Sequence, residues 1–486
     1  MSDSSTAADL RMFINGEWTE SESGKSFEAY NPATLEVIAR LPEGTRKDAE
    51  RAVLAARDAG EHLAQLPIWE RAGILHRIAD AMEERKEDLA RSLSLDQGKP
   101  YHSEALPEVE TAIGGFRETA EHAKALETSV ISVRDPNKRV WSIRQPRGVY
   151  AVITPWNFPI NIPVEYLAPG LAMGNTMVWV PAPSTSVCAV KLAECFEAAG
   201  VPKGAVNLVT GPGAVVGNEI VRHPVTAAIG FTGSPETGKS IAREGAGKPM
   251  LLELGGNGPT IVLDDADLTR AIKMIAFGCF FNAGQVCSAT ERIITSPKTH
   301  DRLLEGLLEE ARKCQMGDPF SEKTTLGPLN NPGVAEKTDR HIQDSLQKGA
   351  VLLCGGERAP EFGSKLYYQP TVIDRVSPEM QFNKEETFGP VAPVMVASSD
   401  EEVLAWANNS SYGLVASLWT SDMKRAFHFA ENLRAGIVNV NETSDYWEPH
   451  IPFGGMSGKQ SGIGRIGGRH TLEEMSDLKT IVLDLS

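Results

Sequence analysis

The chain has 486 residues, 41% hydrophobic and 23% charged, which is enough for about two to four domains with large cores and excludes a disordered, collagenous or miniprotein class. Lysine and arginine number 48 against 64 aspartates and glutamates, so the formal net charge is −16, which argues against nucleic acid or an acidic membrane as partner. Six cysteines (Cys188, Cys195, Cys279, Cys287, Cys314, Cys354) are too few for a disulfide framework and form no CxxC pair, so they read as free thiols with no metal site.

The N-terminus, Met1-Ser-Asp-Ser-Ser5, lacks the basic and then apolar run of a secretory signal, and nowhere do about 18 apolar residues run together, so a cytoplasmic protein is expected. Residues 1–9 are rich in Ser, Ala and Asp and are expected to be loose, and Phe13-Ile-Asn-Gly-Glu-Trp18 reads as a short strand and turn. Apolar positions recur at helical spacing through 49–64 and 69–94, which predicts amphipathic surface helices. Residues 128–147 alternate around an Asp135-Pro136-Asn137 turn signal and predict a hairpin. From Gly148 short apolar strands (149–153, 176–180, 205–209, 227–231, 260–263) alternate with helical stretches such as 186–199, the pattern of βαβ units around a parallel sheet and of a nucleotide-binding domain. A second α/β stretch runs from about 267 to 465, with helices at 267–282 and 299–315 and strands at 351–353 and 391–396.

Several motifs compete for the chemistry. Gly211-Pro-Gly213-Ala-Val-Val-Gly217 has one residue too many before its last glycine for the GxGxxG fingerprint, and a turn entering a helix explains it. Gly233-Ser-Pro-Glu-Thr-Gly238-Lys239-Ser240 matches the GxxxxGK[ST] phosphate loop letter for letter, and Ile261-Val-Leu-Asp264 imitates the apolar run that ends in a magnesium-holding Asp. A P-loop NTPase is therefore the alternative function, although Glu236 sets a carboxylate where amides must cradle phosphate. In a second reading, Phe231-Thr-Gly-Ser234 ends a strand and opens a helix whose N-terminal amides bind a pyrophosphate, which suits a dinucleotide.

A third constellation decides between them. Leu252-Glu253-Leu-Gly-Gly-Asn257 places one acid before a Gly pair, Phe280-Phe-Asn-Ala-Gly-Gln-Val-Cys287-Ser carries a cysteine, and Thr154-Pro-Trp-Asn157-Phe-Pro159 is an apolar loop with a single amide. A cysteine nucleophile, a carboxylate that activates water and an amide donor for an oxyanion make an acyl-transfer kit. Singly each has a bland reading: a core thiol, a capping acid, an amide that satisfies a loop.

Together these residues resemble the aldehyde dehydrogenase superfamily over nearly the whole chain, with further matches at Gly174-Asn-Thr176, Glu385-Glu-Thr-Phe-Gly-Pro390, Pro452-Phe-Gly-Gly455 and Ser461-Gly-Ile-Gly-Arg465. The resemblance implies an α/β fold with a Rossmann-like cofactor domain (1–123 and 145–254), an α/β catalytic domain (255–465) and a small β-hairpin oligomerisation element (124–144 and 466–486), assembled as a homodimer or homotetramer. It implies oxidation of a small-molecule aldehyde to the acid with NAD(P)⁺. Cys287 would form the thiohemiacetal and then the thioester, Asn157 and the Cys287 N–H would hold the oxyanion, and Glu253 would activate water for hydrolysis. A relative that passes the acyl group to coenzyme A typically lacks that Glu. Thr154, Pro155, Trp156, Gly233, Ser234, Leu254, Glu386 and Phe388 fall on cofactor positions, Glu386 at the nicotinamide ribose and Phe388 beside the ring. Phe158 and Tyr446 fall on the substrate pocket.

The departures from the family pattern are specific. Val180 and Pro183 stand where a Lys and a Glu often meet the adenosine ribose; losing the Glu relaxes exclusion of NADP, losing the Lys removes a cation for its phosphate, and the balance leans to NAD. Asn161, Glu165 and Tyr166 replace apolar residues and a Lys in the substrate loop, and Met456-Ser-Gly-Lys-Gln-Ser461 carries two additional residues. Phe158, Tyr446 and Trp447 suit an apolar or aromatic aldehyde, whereas Glu165, Glu448 and His450 suit a polar one. No basic cluster announces an anionic substrate, and no cation stands near Cys287 in the sequence to lower its thiol pKa.

Overall fold

Two large sheets rich in parallel strands and two three-stranded ones organise the computed structural model, which describes residues 8–486. The first large sheet runs in the order Gly462–Ile463, Met250–Glu253, Thr226–Thr232, Val149–Thr154, Thr176–Pro181, Val206–Leu208, Met12–Ile14, Glu17–Thr19. Its five central strands are parallel and covered on both faces, so they read as unbroken apolar runs. In Thr176–Pro181, Met177 and Trp179 join one core cluster while Val178 and Val180 join the cluster on the other face. Strand order reverses between Val149–Thr154 and Thr226–Thr232, and ligands of such sheets bind beyond the carboxyl ends at that switch.

The second large sheet runs Val351–Cys354, Thr371–Asp374, Val391–Val396, Thr290–Thr295, Gly258–Val262, Val415–Trp419, Ile437–Val440, all parallel except the first. Residues 254–257 join a strand of the first sheet to a strand of the second, so Glu253 stands at the joint. The strand over 260–263, expected with the first sheet, is part of the second.

Local signals explain most boundaries. Thr45 and Asp48 form a reciprocal capping box that starts the helix Arg46–Gln65. The periodic run over 69–94 is not one helix but two, Ile68–Glu84 and Lys86–Gln97, because Arg85 leaves helical geometry at φ −114°, ψ 16°. The hairpin forms from Val130–Ile131 and Lys138–Pro146, and the C-terminal strand Ser476–Asp484 pairs along the whole of the latter. Asn175 ties this element to the first sheet: its Oδ1 accepts from the Arg147 and Gly148 N–H at 2.7 and 3.1 Å and its amide donates to the Met475 carbonyl at 2.8 Å. Of the N-terminal segment expected to be loose, residues 1–7 lie outside the described residues, and Ala8–Asp9 instead pair in parallel with Ala39 and Arg40. All six cysteines are free thiols, and no helix among the described residues is long and apolar enough to cross a membrane.

Candidate active site

Both strands at the switch point end in residues singled out from the sequence: Val149–Thr154 runs into Pro155, Trp156 and Asn157, and Thr226–Thr232 into Gly233 and Ser234. The helix Pro235–Glu244 starts immediately, because Ser234 Oγ accepts the Thr237 N–H at 3.3 Å and Pro235 has no N–H to satisfy. Residues 235–238 are therefore helical, whereas a phosphate loop must wrap its phosphates before the helix begins. Asp264, the magnesium ligand of that alternative, follows a strand of the other sheet and pairs with Arg425 at 2.6 Å. The match to a P-loop is one of letters only.

The cysteine loop is held in a strained turn. Asn282, Ala283 and Gly284 lie successively in the left-handed region, with φ of 48°, 54° and 73°, which is unfavourable for the two non-glycine residues. Buried hydrogen bonds over-determine it: the Gln97 amide donates to Asn282 Oδ1 at 3.1 Å, the Asn282 N–H to Glu104 at 3.1 Å, and the Gln285 amide to the Asn282 carbonyl at 2.9 Å. Cys287 follows, half-buried, just before the strand Thr290–Thr295. Asn157 Nδ2 donates to the Gln285 carbonyl at 3.1 Å and Asn282 Nδ2 to the Asn157 carbonyl at 3.1 Å, which brings the Asn157 side chain to the Cys287 loop. Segment 253–257 passes so close that a Cβ on Gly256 would stand 2.0 Å from the Cys287 carbonyl oxygen, so only glycine fits.

Glu253 is 3% exposed, and neither of its carboxylate oxygens has a hydrogen-bond partner. Burial, then the charge of Glu165, pushes its carboxyl well up, with Arg465 opposing. Burial likewise pushes the Cys287 thiol well up, and the charges that add to this, on Glu386, Glu253, Glu165 and Asp445, are all negative.

On the other side of segment 253–257, Glu386 accepts the Gly256 N–H at 2.8 Å through one oxygen, and burial pushes its carboxyl up to about 8. Phe388 sits at φ +63°, held there by buried Glu291, whose two oxygens accept the Thr387 and Phe388 N–H at 2.8 Å each. Its ring stands edge-on to Trp156 with centroids 5.5 Å apart. Thr154 is buried, its Oγ1 accepting the Trp179 indole N–H at 2.8 Å, and Leu254 shares a core cluster with Ile241 of the helix Pro235–Glu244.

On the opposite side, Phe158 packs near Phe281 with centroids 6.0 Å apart. Tyr446 is 45% exposed and its hydroxyl donates to Glu448 at 2.8 Å, so it lies on the rim; Trp447 turns inward, packed against the same core as Phe158 and Cys287.

Sequence reasoning missed Lys99, Glu108 and Glu291. Lys99 is 2% exposed, pairs with Glu108 at 2.6 Å, donates to the Asn157 carbonyl at 3.0 Å and lies 4.0 Å from the Phe158 ring centroid. Glu108 also accepts the Ile160 and Asn161 N–H at 3.0 and 3.1 Å. The pair clamps the loop 157–161 from beneath, and its only trace in the sequence is a Gly-Lys-Pro at a helix end. Lys99→Met leaves Glu108 buried and uncompensated; we expect a loss of about 3–5 kcal/mol in stability, read from the denaturant midpoint, with a fall in turnover as Asn157 loosens.

The aldehyde dehydrogenase family profile matches residues 18–481. The chain belongs to the aldehyde dehydrogenase family. It is 38% identical to the succinate-semialdehyde dehydrogenase [NADP(+)] of Escherichia coli, over 97% of each chain. It is 37% identical to the lactaldehyde dehydrogenase of Methanocaldococcus jannaschii over 97% of this chain and all of that one. A solved betaine aldehyde dehydrogenase from Staphylococcus aureus in complex with NAD⁺ superposes with TM-score 0.94 at 34% identity, covering 98% of this chain and 95% of that one. As an aldehyde dehydrogenase, the protein is an oxidoreductase that converts aldehydes to acids with a pyridine nucleotide.

Proposed function

We propose that Cys287, Asn157 and Glu253 carry the reaction. The Cys287 thiolate attacks the aldehyde carbon, and the oxyanion of the thiohemiacetal is held by the Asn157 amide and the Cys287 N–H. The hydride acceptor would be supplied by a bound NAD(P)⁺. The acyl group stays on Cys287 as a thioester until Glu253 takes a proton from water and the resulting hydroxide releases the acid. What supports this above all is Glu253, a buried carboxylate with both oxygens free at the joint between the sheets, beside the Cys287 loop.

The residues at the switch point fit a dinucleotide. Ser234 and the first turn of the helix Pro235–Glu244 offer a hydroxyl and amide dipoles for a pyrophosphate, with Gly233 and Leu254 beside them. Glu386 has a second oxygen that would accept ribose hydroxyls, and Thr154, Pro155, Trp156 and Phe388 would hold the nicotinamide end. We infer NAD as the preferred form, since Val180 and Pro183 offer no cation to a 2′-phosphate. We expect kcat/KM for NAD to exceed that for NADP by less than about tenfold, and Pro183→Glu to widen the ratio by about tenfold. Growth of reduced-nicotinamide absorbance with each cofactor and a panel of aldehydes checks both the reaction and this preference.

We also infer the domain division 1–123 and 145–254, 255–465, and 124–144 with 466–486, supported by the two sheets and the joined hairpin. A homodimer or homotetramer is supported by an apolar face on that hairpin sheet, where Ile131, Leu478 and Val482 lie on one side and are 42%, 59% and 60% exposed. The free thiols support a reducing, cytoplasmic setting. Relatives of near-equal identity are named for a succinate semialdehyde and for a betaine aldehyde, so likeness alone selects no substrate.

A further inference from the structure

Glu104 is a buried carboxylate outside the reacting trio. It lies in Tyr101–Ala105, a single π-helical turn ahead of the helix Leu106–Lys124, and is 5% exposed. Turns of this width recur at functional sites. Its Oε1 accepts the Asn282 N–H at 3.1 Å, whereas its Oε2 is buried without a partner. The buried ammonium of Lys99 is committed to Glu108 at 2.6 Å and to the Asn157 carbonyl at 3.0 Å. A carboxylate placed there is costly, and a neutral side chain could accept the same N–H at lower cost. A charged acceptor, however, binds an N–H more strongly than a neutral one.

Asn282 joins the two loops that carry the oxyanion donors. Its Oδ1 accepts from the Gln97 amide at 3.1 Å, which fixes the orientation of the side chain and turns Nδ2 to the Asn157 and Gln285 carbonyls at 3.1 and 3.2 Å. The Gln285 carbonyl also accepts one N–H of the Asn157 amide at 3.1 Å. That amide has two N–H groups, so fixing one on Gln285 sets the direction of the other, which is the one open to an oxyanion. The position of the Gln285 carbonyl therefore decides where the free Asn157 N–H points. Leading into Gln285, the chain is left-handed at Asn282 and Ala283, a conformation that such residues keep only when their surroundings impose it. The Asn282 N–H stands at the start of this turn, and Glu104 is its acceptor.

We propose that Glu104 is a positioning residue for the oxyanion site: by holding the Asn282 N–H it keeps the left-handed turn in place, and that turn aims the free N–H of Asn157 at the aldehyde oxygen. This rests on the oxyanion role proposed for Asn157. Glu104 thereby acts on the rate of attack and leaves cofactor affinity alone.

The test is a double-mutant cycle with wild type, Glu104→Leu, Asn157→Ala and the double variant. Single-turnover formation of reduced nicotinamide is followed with enzyme in excess over aldehyde and NAD⁺ saturating. The rate constant extrapolated to saturating enzyme does not depend on the folded fraction, so it separates a misplaced donor from a loss of folded protein. We expect Asn157→Ala to lower it about 10²–10³-fold and Glu104→Leu about tenfold or more, with the KM for NAD⁺ unchanged within about twofold. In the Asn157→Ala background Glu104→Leu should cost less than about threefold, because residues that act as a unit are not additive. Glu104→Gln keeps an acceptor oxygen and should stay within about threefold of wild type. A Glu104→Leu effect of the same size in both backgrounds, or no effect in either, overturns the inference. If Glu104→Leu does not fold, Glu104→Asp, which keeps the charge and draws it back by one methylene, takes its place in the cycle under the same criteria. Wild-type rates in Asn157→Ala would sink the oxyanion reading and this inference with it; a slow Asn157→Ala beside an additive Glu104→Leu sinks the inference alone.

Discussion

Replacing Cys287 with alanine is expected to lower aldehyde-dependent formation of reduced nicotinamide by at least about 10⁴-fold, because in the proposed mechanism every later step acts on the carbon that this sulfur holds. The rest of the site is not expected to compensate: in that mechanism Asn157 and the Cys287 N–H hold an oxyanion only after something has attacked the carbonyl. The variant is expected to stay folded, since the left-handed turn at 282–284 is fixed by Gln97, Glu104 and Gln285 and not by the thiol. Near-ultraviolet circular dichroism checks that, and stopped-flow absorbance checks the rate. Lys239→Ala is the matched control. The phosphate-loop alternative would make it fatal, yet exposed Lys239 donates to Gln460 at 3.1 Å and lies inside a helix, so turnover is expected to change by less than about twofold.

The electrostatics of Cys287 shape how this loss is measured. With its thiol pushed up by burial and surrounded by acids, the protein on its own keeps sulfur protonated near neutrality. The thiolate fraction therefore grows as pH rises, and wild-type kcat/KM climbs toward alkaline pH. Alkylation of the Cys287 peptide by a neutral reagent, followed by mass spectrometry, should climb along the same limb.

Parallel strands buried on both faces read as apolar runs bounded by turn residues, so the sheets were legible in the sequence, as 149–154 and 176–181 illustrate. Cys287, Glu253 and Asn157 could be picked out only as a set, since Glu253 ends a strand and Cys287 and Asn157 lie in two separate loops. Other features have no local signal. Arg85 splits a helix without a Pro or Gly to announce it. Lys99 lies in the turn after the helix Lys86–Gln97 and Glu108 in the helix Leu106–Lys124, and nothing in their spacing says that the ammonium reaches the Asn157 carbonyl. Glu291 reads as a misplaced acid in a buried strand until its two hydrogen bonds to the Phe388 turn are seen. Of the neighbours Tyr446 and Trp447, packing against Phe453 at 5.7 Å turns the second inward, and alternation alone could not choose. The phosphate-loop letters misled because a regular expression ignores where the helix starts.

Glu253→Gln is expected to separate the two halves of the reaction. Attack by Cys287 and departure of the hydride do not need the carboxylate, so one equivalent of reduced nicotinamide per active site should still appear in a rapid burst. Water then lacks its base, and the steady-state rate should fall by about 10²–10⁴-fold as the thioester accumulates. Quenched samples should show the acyl adduct on Cys287 by mass spectrometry, and hydroxylamine should discharge it. The pH dependence follows from the burial of Glu253, whose carboxyl is held well above the ordinary carboxylate range. The active base is the ionised form, so the fraction able to take a proton from water increases with pH, and the hydrolytic rate of the wild type rises with it. The glutamine variant has no such group, and its residual hydrolysis should lose that limb. A burst that disappears along with the steady state would instead place Glu253 in the first half-reaction, as the base that ionises Cys287, and would reassign the water to another group.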